Sequence, residues 1–494
     1  MKSDFVFQKA REWISECEHN HDQCPGPTIP LLPTRVIDVG RENQQPRLHV
    51  STPGERARYV ALSYCWGGDQ PYATKKGTIH QKIGGIPMQE LGQSIQDAIT
   101  VARNISIRYI WIDALCIIQD DDDDKNRELA VMGDIYRRAT VAITAANAAR
   151  AADGFLHPLP ELSSVSCPFL TSENTQGSGA LVEHKWTLHN RAAGDPTDRR
   201  GWCFQEALLP CRRLVFGTQG LSWDCLQEDS KPVVEGNIHV LRSFKMLPPS
   251  TWGLPTQDPI PPAREQARMW KNLVKQFAKR ELTKPDEDRT RAISGIGNVL
   301  ADVHGDEYLS EVAMFRKSLL FQIDWRVDGF TARSRSRRAG GKTPTVVRIE
   351  GLPTWSWASV TGPISSLAMG KMSAEVIDDG SEITANELRS GLLRLRAKVI
   401  HGSRVEVGAR RDWRVEFDLV EGDAFDDRHW FAFLGLDSLG QYSVGLVVSL
   451  IDGTNPQEWQ RVGWFCANCG HDAVRPWSNI WDEKDVAVRD LVLR

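Results

Sequence analysis

The sequence predicts an α/β fold for its first half: a parallel, flavodoxin-like sheet with helices on its faces. A helical middle and a β-rich C-terminal region follow. Three observations carry this reading. Short apolar runs at residues 59–64 (YVALSY), 109–112 (YIWI) and 140–146 (TVAITAA) have the continuous hydrophobicity of strands buried on both faces. Helical periodicity fills the intervals between them. Beyond residue 390 the helical pattern gives way to strand-like segments separated by turns.

Each element follows from its own residues. Residues 59–64 form a strand that exits through Gly67 and Gly68. Leu91, Ile95, Ala98, Ala102 and Ile105 recur every three or four residues, so residues 90–105 form an amphipathic helix. After the strand at 109–112 come five aspartates, Asp120 to Asp124. They open a helix with Leu129, Met132, Ile135, Tyr136 and Ala139 on one face. Carboxylates in a first turn offset the positive end of the helix dipole by ~0.3–1 kcal/mol each at best. Residues 158–179 are rich in Pro, Ser and Gly and read as a long surface loop. A short helix at 202–209 stops at Pro210 and leads into a strand at 213–216. Residues 247–262 read as a linker, 264–282 and 288–303 as helices, and the basic stretch 332–342 as a disordered loop. Strands are predicted at 392–400, 413–420, 429–434, 442–450 and 460–466. The resulting division is a domain at 1–230 (core 55–217) with a Cys/His extension at its N-terminus, a mainly helical region at 231–345, and a β-rich region at 346–494.

Composition narrows the function classes. Of 494 residues, 41% are hydrophobic and 25% charged, as in ordinary globular chains. No apolar run approaches the ~18 residues that cross a bilayer, and the N-terminus lacks the apolar core of a secretory signal. Sixty basic and 64 acidic residues give a net charge of −4, which makes no case for nucleic acid or anionic membrane. Ten cysteines in a chain of this length read as reduced thiols in the cytoplasm.

Three motifs stand in order: Ala61-Leu62-Ser63-Tyr64-Cys65-Trp66-Gly67, then Trp111-Ile112-Asp113-Ala114-Leu115-Cys116-Ile117-Ile118-Gln119, then Arg200-Gly201-Trp202-Cys203-Phe204-Gln205-Glu206. Together they resemble the fungal heterokaryon-incompatibility (HET) domain, whose usual forms are close to A-L-S-Y-x-W-G, W-I-D-x-L-C-I-N-Q and R-x-W-T-x-Q-E. The match extends to Met132, Ile135, Tyr136 and Ala139, to the stretch Cys17 to Cys24, and more loosely to Pro353-Thr354-Trp355-Ser356-Trp357-Ala358-Ser359. Two positions depart: Ile118 replaces the usual Asn and Cys203 the usual Thr. The resemblance implies a role in nonself recognition between fungal strains, with programmed cell death as the output. The family is also remotely similar to TIR domains. Some of those cleave NAD with a glutamate in a W-C-x-x-E-L-like segment, which residues 202–208 resemble.

The chemistry of single residues sharpens these expectations. Cleavage of a nicotinamide–ribose bond builds an oxocarbenium-like centre, which a fixed carboxylate stabilises. Glu206 is the candidate; the alternative is a salt bridge to Arg200 or Arg212. Asp113 follows a buried strand, where parallel sheets bind ligands, and is either a second candidate or a lock on its own loop. Ser63, Tyr64, Trp66 and Gly67 lie at the exit of the first strand. With Gln119, Arg200, Trp202 and Gln205 they make up the candidate ligand-binding set. Cys116 sits among apolar neighbours and reads as core. The aspartate run lacks the oxygen spacing of a calcium loop. Metal-like spacing occurs at Cys17, His19, His21 and Cys24, and at Cys466, Cys469 and His471, each at most half of a zinc site. The glycine patterns at 339–343 and 435–440 fit neither a P-loop nor a nucleophile elbow.

The sequence thus predicts a cytoplasmic incompatibility-type cell-death effector. It needs no cofactor, has NAD as candidate substrate, acts with a protein partner or by self-assembly, and touches neither membrane nor nucleic acid. The alternative is a non-enzymatic module that signals by assembly. An enzyme would leave Glu206 facing an open pocket, whereas a structural role would bury it against arginine.

Overall fold

The computed structural model describes residues 1–41, 44–158, 164–170, 176–182, 195–218, 220–227, 231–232, 247–255, 259–328, 346–367, 369–378, 382–401, 413–418, 429–437, 442–451, 458–468 and 486–494. The chain forms two compact units. One comprises Met1–Glu128 with Ile135–Lys245, the other Leu129–Asp134 with Met246–Arg494.

The first unit begins with α1 (Asp4–Asn20), whose N-cap Ser3 accepts a hydrogen bond from the Val6 amide. Strands β1 (Arg35–Asp38), β2 (Arg47–Val50) and β3 (Tyr59–Ser63) follow, then helices α2 (Ile79–Gly84) and α3 (Gln93–Asn104). Strand β4 (Tyr109–Trp111) leads into α4 (Asp113–Cys116), α5 (Asp122–Arg138) and β5 (Val141–Thr144). After a hairpin of β6 (Ser164–Leu170) and β7 (Gln176–Val182) come α6 (Pro196–Arg199) and α7 (Cys203–Leu208). Strands β8 (Arg212–Gly217), β9 (Gly220–Cys225) and β10 (Lys231–Pro232) close the unit.

Eight of these strands form one sheet in the order β10-β9-β8-β5-β3-β4-β1-β2. The central four, β8-β5-β3-β4, are mutually parallel. Their burial is complete from Tyr59 to Ser63 and from Val141 to Thr144, as continuous apolar strands require. The expected all-parallel sheet is corrected to a mixed one. β1 and β2 add antiparallel strands at one edge, β9 and β10 at the other. The edge strands went unread because they are short and, as with β2, partly exposed. A second correction concerns residues 158–179. The hairpin β6–β7 pairs Ser164 with Val182 through Leu170 with Gln176. Its Ser/Gly-rich sequence carries no alternation from which a strand could be read.

The aspartate run is structural. Asp121 caps α5 by accepting from the Asp124 amide, while Asp124 is buried, pairs with Arg35 at 2.5 Å and accepts from the Ile118 amide at 2.9 Å. Tyr136 donates to the Leu62 carbonyl at 2.7 Å and meets Trp111 edge-on at 5.6 Å. This packing accounts for the aromatic positions of the helix pattern.

The second unit contains helices Ala263–Phe277 and Arg291–His304 and a β-rich remainder, as read from sequence. Five of its strands close on themselves: His429–Asp437, Tyr442–Leu450, Trp459–Asn468, Ala487–Leu493 and Leu393–His401, the last pairing back to the first. Ile400, Phe431, Phe433, Val447 and Phe465 fill a buried cluster there. The motif at 353–359 is core: Trp355 and Trp357 are buried, and their indole N–H groups donate to the carbonyls of Gly391 and Ala313. The basic stretch 332–342 lies outside the described residues. Among the described residues no helix is long and apolar enough to cross a membrane.

Candidate functional site

The carboxyl ends of β3 and β5 form the topological switch point of the parallel strands. From β3 the chain crosses to β4 on one side, then returns to β5 on the other. Right-handed crossovers in opposite directions send the two exit loops apart, and ligands of open α/β sheets bind where that happens. Ser63 and Thr144 are register partners at this point. Tyr64, Cys65 and Trp66 continue from β3, Asp113 follows β4, and the short helix α7 brings in Gln205 and Glu206.

Glu206 is buried, 4% exposed, and accepts a 2.6 Å hydrogen bond from the Ser63 hydroxyl. Burial pushes its carboxyl well above the ordinary glutamate range, reinforced by Cys203 and, more weakly, by the charge of Asp113; the Ser63 bond opposes the shift. Arg212, one of its expected partners, is engaged elsewhere: it donates to the Cys17 sulfur and to the Pro25 carbonyl. Glu206 is thus buried, as a structural role demands, but held by a serine rather than by that arginine.

Asp113 accepts from the Trp66 indole N–H at 2.8 Å and from the Ala114 amide at 2.7 Å. Burial raises its carboxyl, while these bonds and the Arg200 charge pull the other way. The Tyr64 hydroxyl faces Asp113 closely enough for each to shift the other, yet it makes no hydrogen bond of normal geometry. Thr144 Oγ1 and Gln205 Oε1 are likewise buried without a partner. Buried polar atoms of folded proteins are nearly always paired, so the unpaired oxygens of Thr144 and Gln205 mark polar capacity that the fold does not use. The Cys65 thiol is pulled down by a hydrogen bond with Cys203, with a contribution from Arg200.

The structure therefore brings together Ser63, Tyr64, Trp66, Asp113, Gln205 and Glu206, with the Arg200 charge close enough to act on Asp113. Gln119 spends its side-chain amide on the carbonyls of Asp113 and Ile117, which locks its own loop. Gly67 has φ +70°, and a Cβ there would meet the Arg150 side chain at 2.2 Å, so glycine answers both a left-handed turn and a close approach. Trp202 precedes α7 with helical backbone angles. Cys116 is core, accepting from the Ile112 amide, its thiol pushed up to about 12 by burial. Thr144 was missed because nothing in an apolar strand singles out its last residue.

Of the metal candidates, Cys466 lies within the strand Trp459–Asn468, and Cys469 and His471 lie outside the described residues. The N-terminal half-site is different. Cys17, His21 and Cys24 converge with Cys225, all four ligand atoms lying within 4.8 Å of one another. His19 is not among them; its ring nitrogen bonds the Ser15 carbonyl. Cys225 escaped the sequence reading because β9 did.

No curated protein and no solved structure matches the chain. Residues 59–206 match the family model described as heterokaryon incompatibility protein (HET). That segment runs from the first residue of β3 to Glu206 in α7. The chain therefore carries, over residues 59–206, a segment that matches the heterokaryon-incompatibility (HET) domain.

Proposed function

We propose that this protein is a cytoplasmic effector of incompatibility-type nonself recognition, triggering programmed cell death by cleaving NAD at a TIR-like site. The observation that carries the reading is the Ser63–Glu206 pair at the strand switch point, with unpaired buried oxygens on its register neighbour Thr144 and on Gln205, and the Tyr64 hydroxyl facing Asp113. Unused acceptors and hydroxyls suit the ribose and amide groups of a nucleotide. Trp66 fixes Asp113 after the end of β4.

In the reaction the glycosidic C–N bond breaks and nicotinamide leaves with the bonding pair. Water adds to the ribose carbon and loses a proton, leaving ADP-ribose. Glu206 faces the developing cation. A positive ring beside it favours its ionised form, so substrate itself would draw the carboxyl down into the carboxylate state. Ser63 then holds the charged oxygen in place.

The test is nicotinamide release from NAD, followed by chromatography at low and high protein concentration, beside Glu206→Gln. Release by the wild type and loss in the folded variant is the expected outcome. No release at any concentration from folded protein overturns the catalytic reading. A second reading has its own support. A carboxyl only 4% exposed suits a module that signals by assembly, with the motifs holding its core. Capture of a partner, or growth in particle size without nicotinamide release, would favour it.

A further inference from the structure

We propose that Cys17, His21, Cys24 and Cys225 bind one zinc ion in a closed structural site. Cys17 lies in the last turn of α1 and His21 is the residue that caps it, one turn on. Cys24 follows in the next loop, giving C-x3-H-x2-C. Cys225, the fourth group, is the last residue of β9, some 200 positions away in the chain.

The distances fit a tetrahedral ion. With Zn–S of ~2.3 Å and Zn–N of ~2.0–2.1 Å, sulfur and nitrogen ligands lie ~3.6 Å apart. His21 Nδ1 is 3.8 Å from the Cys24 sulfur and 3.4 Å from the Cys225 sulfur, one on each side of that value. The same nitrogen faces both thiols, so a single ion position serves all contacts. Four protein ligands leave no open coordination position, which is the signature of a structural rather than a catalytic zinc.

The surroundings complete the case. Three thiolates and one zinc carry a net charge of −1. The Arg212 guanidinium, itself buried, donates to the Cys17 sulfur at 3.1 Å and so supplies the compensating charge. The backbone amides of Leu226 and Gln227 approach the Cys24 sulfur. Gln227 also accepts from the Gln23 amide, at 3.2 Å, tying the loop after β9 to the loop after α1. Trp13 and Trp223 stack at 6.2 Å between the same two elements. The ion would fasten α1 to the antiparallel edge of the sheet, two strands from β5.

The full chain, purified without chelators, is assayed for bound metal by mass spectrometry, then stripped, reduced and titrated with Co2+. One zinc per chain and tetrahedral cobalt absorption are expected. Cys225→Ser should lose both, and Cys466→Ser neither. Because Cys225→Ser could fail by unfolding, His21→Cys is the second variant. It keeps four ligands, should hold metal, and should shift the cobalt bands to lower energy as nitrogen is exchanged for sulfur. A wild-type chain without zinc that shows no cobalt absorption after reduction overturns the proposal. So does a His21→Cys cobalt spectrum identical to the wild type.

Discussion

The tryptophan motif at 353–359 in the second unit and the strand-end motifs of the first both bury polar groups, and the two motifs treat them differently, although unpaired buried atoms occur in both units. In the second unit the indole N–H groups of Trp270, Trp325, Trp355 and Trp357 each donate to a backbone carbonyl. Arg461 is fully buried there, paired with Asp418 through two bonds of 3.2 Å, and stacked on Trp325 at 3.5 Å. In the first unit the strand-end motifs bury Tyr64, Thr144 and Gln205 with an oxygen left over on each. Satisfied polar groups hold architecture, and unsatisfied ones cost stability unless something else is bound there. The difference separates a motif whose indole N–H groups are spent on the fold from one with oxygens to spare.

The largest effect should come from breaking the satisfied side. Asp418→Ala leaves Arg461 charged, buried and without its carboxylate, a loss of ~3–5 kcal/mol for such pairs. Denaturant unfolding of the full chain should show the loss in the transition of the second unit. An unchanged midpoint would mean that the guanidinium bonds of Arg461 to the Ile323 and Trp325 carbonyls, with the Trp325 face, suffice alone.

A smaller effect, with a definite sign, is expected from Glu206. Its folded carboxyl binds a proton more tightly than the unfolded chain does. Above the ordinary glutamate value of ~4.3 the folded state therefore holds more protons than the unfolded state, and stability falls as pH rises until the folded group itself ionises. Glu206→Gln removes that slope. Thermal unfolding between pH 5 and pH 8 should be flatter for the variant, with its midpoint at or above wild type at pH 8. Equal slopes would show that the carboxyl is ionised in the fold and that the comparison between the two units fails at its central residue. The result bears on function too, since a group that weakens the fold at working pH is retained for another reason.

How much of this contrast was legible in the sequence depends on the kind of signal. The central strands announced themselves because continuous burial demands continuous apolar residues, as in Val141–Thr144. Helix α3 announced itself by period. The edge strands β1, β2, β9 and β10 did not: β1, β2 and β10 are four residues or fewer, and polar residues interrupt the apolar run of β9 although it is buried. The site was half legible. Ser63, Asp113 and Glu206 could be placed at element ends, but which of them would touch was not readable, since Ser63 and Glu206 meet across 143 positions of sequence. The same holds for Cys225: a fourth ligand supplied from an unread strand has no local signature. That Trp355 is core was equally hidden, because its indole partner is a carbonyl 36 positions away at Gly391.

The smallest effect is the most discriminating. Tyr64→Phe removes one oxygen that has no hydrogen bond of normal geometry. A paired buried hydroxyl contributes ~0.5–1.5 kcal/mol, so its loss would lower stability, whereas removing an orphan relieves a desolvation cost and should leave the midpoint unchanged or raised. At Trp357 the opposite rule applies, since its N–H is spent on Ala313 and its ring meets Phe277 edge-on at 5.9 Å. If Tyr64→Phe keeps the fold and lowers nicotinamide release, the hydroxyl serves a ligand and the unsatisfied side of the comparison is a working site. If it destabilises the chain, Tyr64 has a partner within the fold, and the polar groups near Glu206 are architecture of the same kind as the tryptophan core.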